Sequence, residues 1–161
     1  MIPISMFESM AHIALETPIA IKKILMPIDR SGYREILAYG ISLGKAWGAE
    51  LTVVHVIDPG RGVPGGRVKE KELEREEQAK REGMLVLDSI NPVISKEGIN
   101  IKKEVIEKSD SIAKAIIGYA KQNDYDVIIG TKGMTAVEEF FAGSVANNVI
   151  HHADCPVFAI R

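Results

Sequence analysis

Cysteine occurs once in this chain, as Cys155, and tryptophan once, as Trp47. A lone cysteine excludes an internal disulfide and fits a reducing compartment, so the cytoplasm is the expected location. An excess of either charge is missing too, with a net charge of −2 over 161 residues. A surface built to follow a nucleic-acid backbone or an anionic lipid would be basic, so neither is an expected partner. A membrane span needs about 20 nearly uncharged apolar residues. The opening MIPISMFESMAHIALETPIA comes nearest, but Glu8, His12, Glu16 and Pro18 interrupt it. No basic stretch precedes Lys22, as a signal peptide would want.

Several chemical motifs are also missing. HxxxH, HExxH and paired cysteines do not occur, so no metal site is expected from the protein's own side chains. GxxxxGK[ST] is not present. No Ser/His/Asp set assembles, and Cys155 has no convincing base, so it is expected to pack rather than react. His55 falls inside an apolar strand run, where an imidazole serves as a satisfied core residue, with a ligand or base role as the alternative. His151 and His152 close a helix, where positive charge suits the dipole.

What is present is globular: 46% hydrophobic and 26% charged residues, enough for one domain with a real core. Residues 1–20 read as an extension, a short amphipathic helix with Met6, Met10, Ile13 and Ala14 on one face. Residues 21–161 read as the domain. Lys23–Ile28 has strand character, Gly32–Trp47 helical spacing, and Leu51–Ile57 (LTVVHVI) β-branched strand composition. DPGRGVPGG is a loop. Val68 to about Lys96 reads as one long helix, charged in its first half, with Pro92 as a kink or early end. Ile99–Ile106 alternates like an edge strand. Ser109 or Asp110 is the expected cap of a helix through Ile112, Ala113, Ile116 and Ala120. Tyr125–Ile129, Ser144–His152 and Val157–Ile160 follow as strand, helix and strand. Alternating strands and helices predict a doubly wound α/β fold: an open sheet of five mainly parallel strands with helices on both faces.

In such a sheet, ligands sit beyond the carboxyl ends of the strands. The stretch GTKGMTAVEEFFAGS starts there, with Gly130 read as the first residue after its strand. Gly130 and Gly133 admit a ligand close to the backbone, and Gly143-Ser144 opens a helix whose free amides suit an anion. The pattern reads as a two-part phosphate cradle.

G-x2-G-x9-G-S, here Gly130, Gly133, Gly143 and Ser144, resembles the ATP-binding signature of the universal stress protein family. KKILMPIDRS, LTVVHVID, DVIIGTKG, GSVANNVI and HHADCPVFAIR extend the likeness over about Lys22 to Arg161. The resemblance implies a fold like the adenine-nucleotide alpha-hydrolases and a regulatory module that binds ATP, or ADP or AMP, with Mg²⁺ arriving on the nucleotide. It implies that Asp29 contacts the ribose, that Pro27 and Ile28 line the base pocket, and that the Val56 backbone faces the adenine. Gly130, Gly133, Gly143, Ser144 and Val145 match ribose and phosphate contacts, with Ile129, Thr131, Lys132 and Ala146 beside them. A carboxylate at a strand end suits ribose hydroxyls on chemical grounds as well, although Asp29 or Ser31 would equally cap the next helix.

The glycine loop departs from the basic type. Lys132 is basic, but Met134 is neutral and Glu138 and Glu139 add two carboxylates, expected to face solvent while Phe140 and Phe141 anchor the loop. The resemblance also implies a homodimer joined through the last strands, and VFAIR offers an apolar edge for it. No general base for ATP hydrolysis stands out, so binding is expected, with weak hydrolysis at most. A dimeric interaction protein with a vestigial pocket is the alternative.

Overall fold

A computed structural model of the chain describes residues 18–30, 32–60, 68–131 and 143–160. The expected N-terminal amphipathic helix lies outside these residues, as do Ser31, Lys132, Gly133 and the rest of the glycine loop up to Ala142. The elements run β1 (Lys23–Pro27), α1 (Tyr33–Trp47), β2 (Glu50–Ile57), α2 (Val68–Asp88), α3 (Asn91–Glu97), β3 (Ile101–Glu107), α4 (Ile112–Gln122), β4 (Val127–Thr131), α5 (Gly143–His152) and β5 (Val157–Ile160). All five strands join one parallel sheet in the order β3-β2-β1-β4-β5. The doubly wound α/β architecture expected from the alternation is the one observed.

Two apolar layers hold the sheet. On one face Ile36, Leu37 and Ile41 of α1 and Val86 and Leu87 of α2 pack on Ile24, Met26, Val53 and Ile129. On the other, Ala113, Ile116 and Ala120 of α4 and Val149 of α5 pack on Leu25, Val54 and Ile128. Ile24, Met26 and Leu87 have no exposed surface at all, and each such side chain contributes about 1.5–3 kcal/mol over leaving it in water. Helix α1 approaches the sheet closely because it offers glycine at the contact. A Cβ on Gly40 would lie 2.1 Å from Met26 Sδ, and one on Gly44 would lie 2.7 Å from a Leu51 methyl.

Three local expectations change in the fold. The helix expected to run from Val68 to about Lys96 is two helices, parted after Asp88, with Pro92 in the first turn of α3. A proline costs no intrahelical bond there, and Ile90, fully buried at the turn, ties the break to the core. Helix α4 is capped by Ser111, whose Oγ accepts from the Lys114 N–H at 3.1 Å, rather than by Ser109 or Asp110. Asp110 instead accepts from Lys114 Nζ at 2.8 Å. Strand β4 is shifted by two residues from Tyr125–Ile129. Its pairs Gly130↔Ala159 and Thr131↔Ile160 with β5 carry the strand through Gly130, which therefore lies within it. Tyr125 precedes the strand and buries its ring, donating its hydroxyl to Thr52 Oγ1 at 2.9 Å.

Candidate functional site

Strands β1 and β4 lie side by side, but their connections leave in opposite directions, β1 toward β2 and β4 toward β5. Helix α1 covers one face on the way and α5 the other. That reversal makes a crevice at the carboxyl ends of β1 and β4, the place where open α/β sheets receive ligands.

The chain widens this crevice through a proline. In a parallel ladder alternate residues aim their backbone groups at alternate neighbours. Asp126 N–H donates to the Lys23 carbonyl, so Lys23, Leu25 and Pro27 face β4. Pro27 has no N–H to give. The β1–β4 register accordingly ends at Leu25↔Ile128, and above that level the two strands part.

An apolar cavity of ≈ 110 Å³ opens at this point on the α4/α5 face. Pro27, Asp29, Gly130, Thr131, Val145 and Ala146 line it, so the fold brings six of the expected site residues together. Gly130 has the most informative environment. No atom of the described residues lies within 4 Å of where its Cβ would be, and its φ is not in the left-handed region. Among the described residues neither packing nor backbone conformation requires glycine here, although glycine in a strand costs about 0.5–1 kcal/mol relative to alanine. What its missing side chain preserves is the cavity.

Polar groups gather at the mouth. Asp29 is half-buried, and its Oδ1 accepts from the Arg30 N–H. The N-cap position of α1 is Gly32, in the left-handed conformation, which supplies no side-chain cap. Thr131 Oγ1 is buried with no hydrogen-bond partner among the described residues. A buried hydroxyl without a partner costs about 1–3 kcal/mol, and a bound polar group would recover that cost. Gly143 is the first residue of α5, so that helix starts beside Val145 and Ala146, and its first-turn amides, which have no partner inside the helix, add partial positive charge.

The other expected residues are placed differently. Ile28 is 3% exposed and Ile129 fully buried, both with side chains in the opposite core, under α1 and α2. Ile129 contributes backbone instead, because its carbonyl faces β1 at the level where Pro27 lacks a donor. Val56 is half-buried on the α4 side. Its backbone, like that of Val54, faces β1, but at a level that β1 has already left. Ser144 is in α5, and Lys132 and Gly133 lie outside the described residues.

Several wall residues carry no site signal in the sequence. Ile128 of β4, Ile112 and Ile116 of α4, Val149 and Ile150 of α5, and Val157 and Ala159 of β5 complete the cavity. The four-residue spacing of Ile112 and Ile116 and the alternation of Val157 and Ala159 were visible as core signals, but periodicity does not separate a core wall from a pocket wall. His55 is expected as a core residue, with a ligand or base role as the alternative. It is half-buried, and its Nδ1 lies 2.8 Å from the Ile28 carbonyl, one residue before Asp29.

Together, the sheet order and the lined crevice define a doubly wound α/β protein with an apolar crevice at its topological switch point. The chain belongs to the universal stress protein family, whose model matches residues 20–161. A universal stress protein of Methanocaldococcus jannaschii is 32% identical to it over 144 residues, covering 87% of this chain and 82% of that one. Among solved structures, universal stress protein UspA from Lactobacillus plantarum superposes with a TM-score of 0.73 at 23% identity, covering 89% of this chain and all (100%) of that one. The universal stress protein from Archaeoglobus fulgidus in complex with dAMP superposes with a TM-score of 0.56 at 23% identity, covering 89% and 100%. At these identities the structural matches speak for the fold.

Proposed function

We propose that this protein is a nucleotide-binding regulatory module that takes ATP, with Mg²⁺ arriving on the triphosphate, and signals through occupancy of the crevice. The observation that carries the reading is Gly130: a strand glycine that no packing among the described residues requires, facing a cavity beside Asp29 and the start of α5. An adenine nucleotide suits each part of the site. The apolar walls and the Val56 backbone would take the base, Asp29 the ribose hydroxyls, and Gly133, the α5 amides, Gly143 and Ser144 the phosphates. Thr131 Oγ1, with Lys132 next in sequence, would meet the sugar-phosphate end. Binding of dAMP by the Archaeoglobus fulgidus relative supports an adenine ligand. The reading assigns no catalytic residue; any ATP turnover would be weak.

In the same proposal residues 21–161 form one nucleotide-binding domain, residues 1–20 stand outside the site, and two copies join through β5 in the cytoplasm. No helix among the described residues is long and apolar enough to cross a membrane.

Calorimetric titration with ATP and Mg²⁺, after bound nucleotide has been stripped by unfolding and refolding, tests the site. One-to-one binding is expected for the wild type, and a loss of at least tenfold in affinity for Gly130→Val, with the unfolding midpoint unchanged or raised. Absence of binding to ATP, ADP and AMP, or undiminished binding by Gly130→Val, would overturn the proposal.

A further inference from the structure

One hydrogen bond beside the crevice is not part of the parallel ladder. Ile28 N–H donates to the Val54 carbonyl at 2.8 Å, the last backbone bond between β1 and β2. Continuing the ladder would give the Ile28 carbonyl to the N–H of Val56, two residues along on the same side of β2. The carbonyl is instead held by the His55 ring, with Nδ1 2.8 Å away. No Val56–Ile28 backbone bond forms, and the register stops at Pro27↔Val54. A carbonyl only accepts, so Nδ1 carries the proton. The neutral Nδ1–H tautomer and the imidazolium both make this contact.

We propose that His55 is a positioning residue that keeps the base-recognition edge open. By holding the Ile28 carbonyl, it turns β1 out of the sheet one residue before Asp29 and leaves the Val56 N–H and C=O without ladder partners. A donor and an acceptor side by side on an extended backbone match a base edge that presents an acceptor next to a donor. Adenine has that order at N1 and N6, and guanine has the reverse at N1 and O6. The assignment of the ligand rests on the nucleotide reading above. The action of His55 on Val56 does not, because it operates in the protein alone.

Amide hydrogen exchange by NMR on the full chain without nucleotide separates the two. In the wild type the Val56 N–H is expected to exchange like an unbonded amide, and the His55 ring to show the Nδ1–H form. In His55→Leu, which has no donor, the Ile28 carbonyl becomes available to Val56, and that amide should slow about tenfold, the effect of one backbone hydrogen bond. His55→Asn restores an N–H donor near the Nδ1 position and should return Val56 to the wild-type rate. A Val56 amide already protected in the wild type overturns the proposal without any variant, and so does an unchanged rate in a folded His55→Leu. Titration with ATP and GTP then reads the consequence: His55→Leu should lose at least fivefold in affinity for ATP and His55→Asn much less. If the exchange results hold but the wild type binds no adenine nucleotide, the ligand reading fails and the His55 assignment stands. If ATP binds but exchange at Val56 ignores His55, the reverse is true.

Discussion

Tyr125 shows how one side chain ties distant parts of the chain together. It is 7% exposed, its ring stacks on Tyr119 at 5.8 Å between centroids, and Lys23 Nζ lies 4.7 Å above it. Its hydroxyl donates to Thr52, itself only 3% exposed, so Tyr125→Phe strands a buried hydroxyl on β2. The expected cost is about 1–3 kcal/mol in urea unfolding; a change below about 0.5 kcal/mol would mean that Thr52 finds another partner. Cys155 gives a pH prediction at the same scale. Burial, and then the charges of Asp126 and Asp154, push its thiol above the ordinary value of 9.0. The fold therefore favours the protonated thiol, and the stability this gives is whole below about pH 9 and is lost as pH rises through the folded value. Unfolding midpoints measured from pH 7 to 11 should fall more steeply for the wild type than for Cys155→Ala. Equal slopes would assign the fall to other groups.

At the scale of the element, two helical glycines carry opposite expectations. Gly40 in α1 faces Met26, which has no exposed surface and so no room to swing aside. Gly40→Ala should therefore destabilise by about 1–3 kcal/mol through overpacking, although alanine is the better helix former. Gly118 in α4 has no described atom within 4 Å of its Cβ position. Gly118→Ala should stabilise by about 0.5–1 kcal/mol through backbone entropy alone. Denaturant unfolding of both variants checks the pair, and a shared sign would contradict the packing described for α1. The strands show the same dependence on neighbours. Tyr125–Ile129 was the apolar run legible in sequence, but β5 decides the extent of β4, because Ala159 and Ile160 pair with Gly130 and Thr131.

At the scale of the whole molecule the two edges of the sheet differ. β3 carries Lys102, Lys103, Glu104 and Glu107, charges that discourage a further strand. β5 is the short apolar VFAI, with Phe158 43% exposed and Trp47 of α1 41% exposed beside it, ring centroids 6.4 Å apart. This asymmetry favours β5 as the edge for the proposed pairing of two copies. Because Ile128 N–H reaches the Pro156 carbonyl, Pro156 and Phe158 face β4, while Val157 and Ala159 turn their backbone outward. Ala159→Pro removes an outward N–H and no bond inside the sheet. Sedimentation at micromolar concentration should show a dimer for the wild type and a monomer for Ala159→Pro. A monomeric wild type, or a variant that remains dimeric, would count against this edge.

The sequence by itself determined the alternation of strands and helices, the parallel sheet and the end of the sheet where the crevice opens. Hydrophobic period and glycine placement are local properties, and they survive folding unchanged. Asp29, Gly130 and Val145, expected at the site through a family resemblance rather than through periodicity, line one crevice. Only the tertiary structure decided that Ile28 and Ile129 turn their side chains to the opposite core, since a strand's two faces are assigned by what packs on each. It likewise decided that the helix after Val68 breaks at Ile90, that Pro27 ends the β1–β4 ladder, and that His55 holds the Ile28 carbonyl. Each of these depends on which strand lies beside which, and that order is set by contacts between residues far apart in the chain.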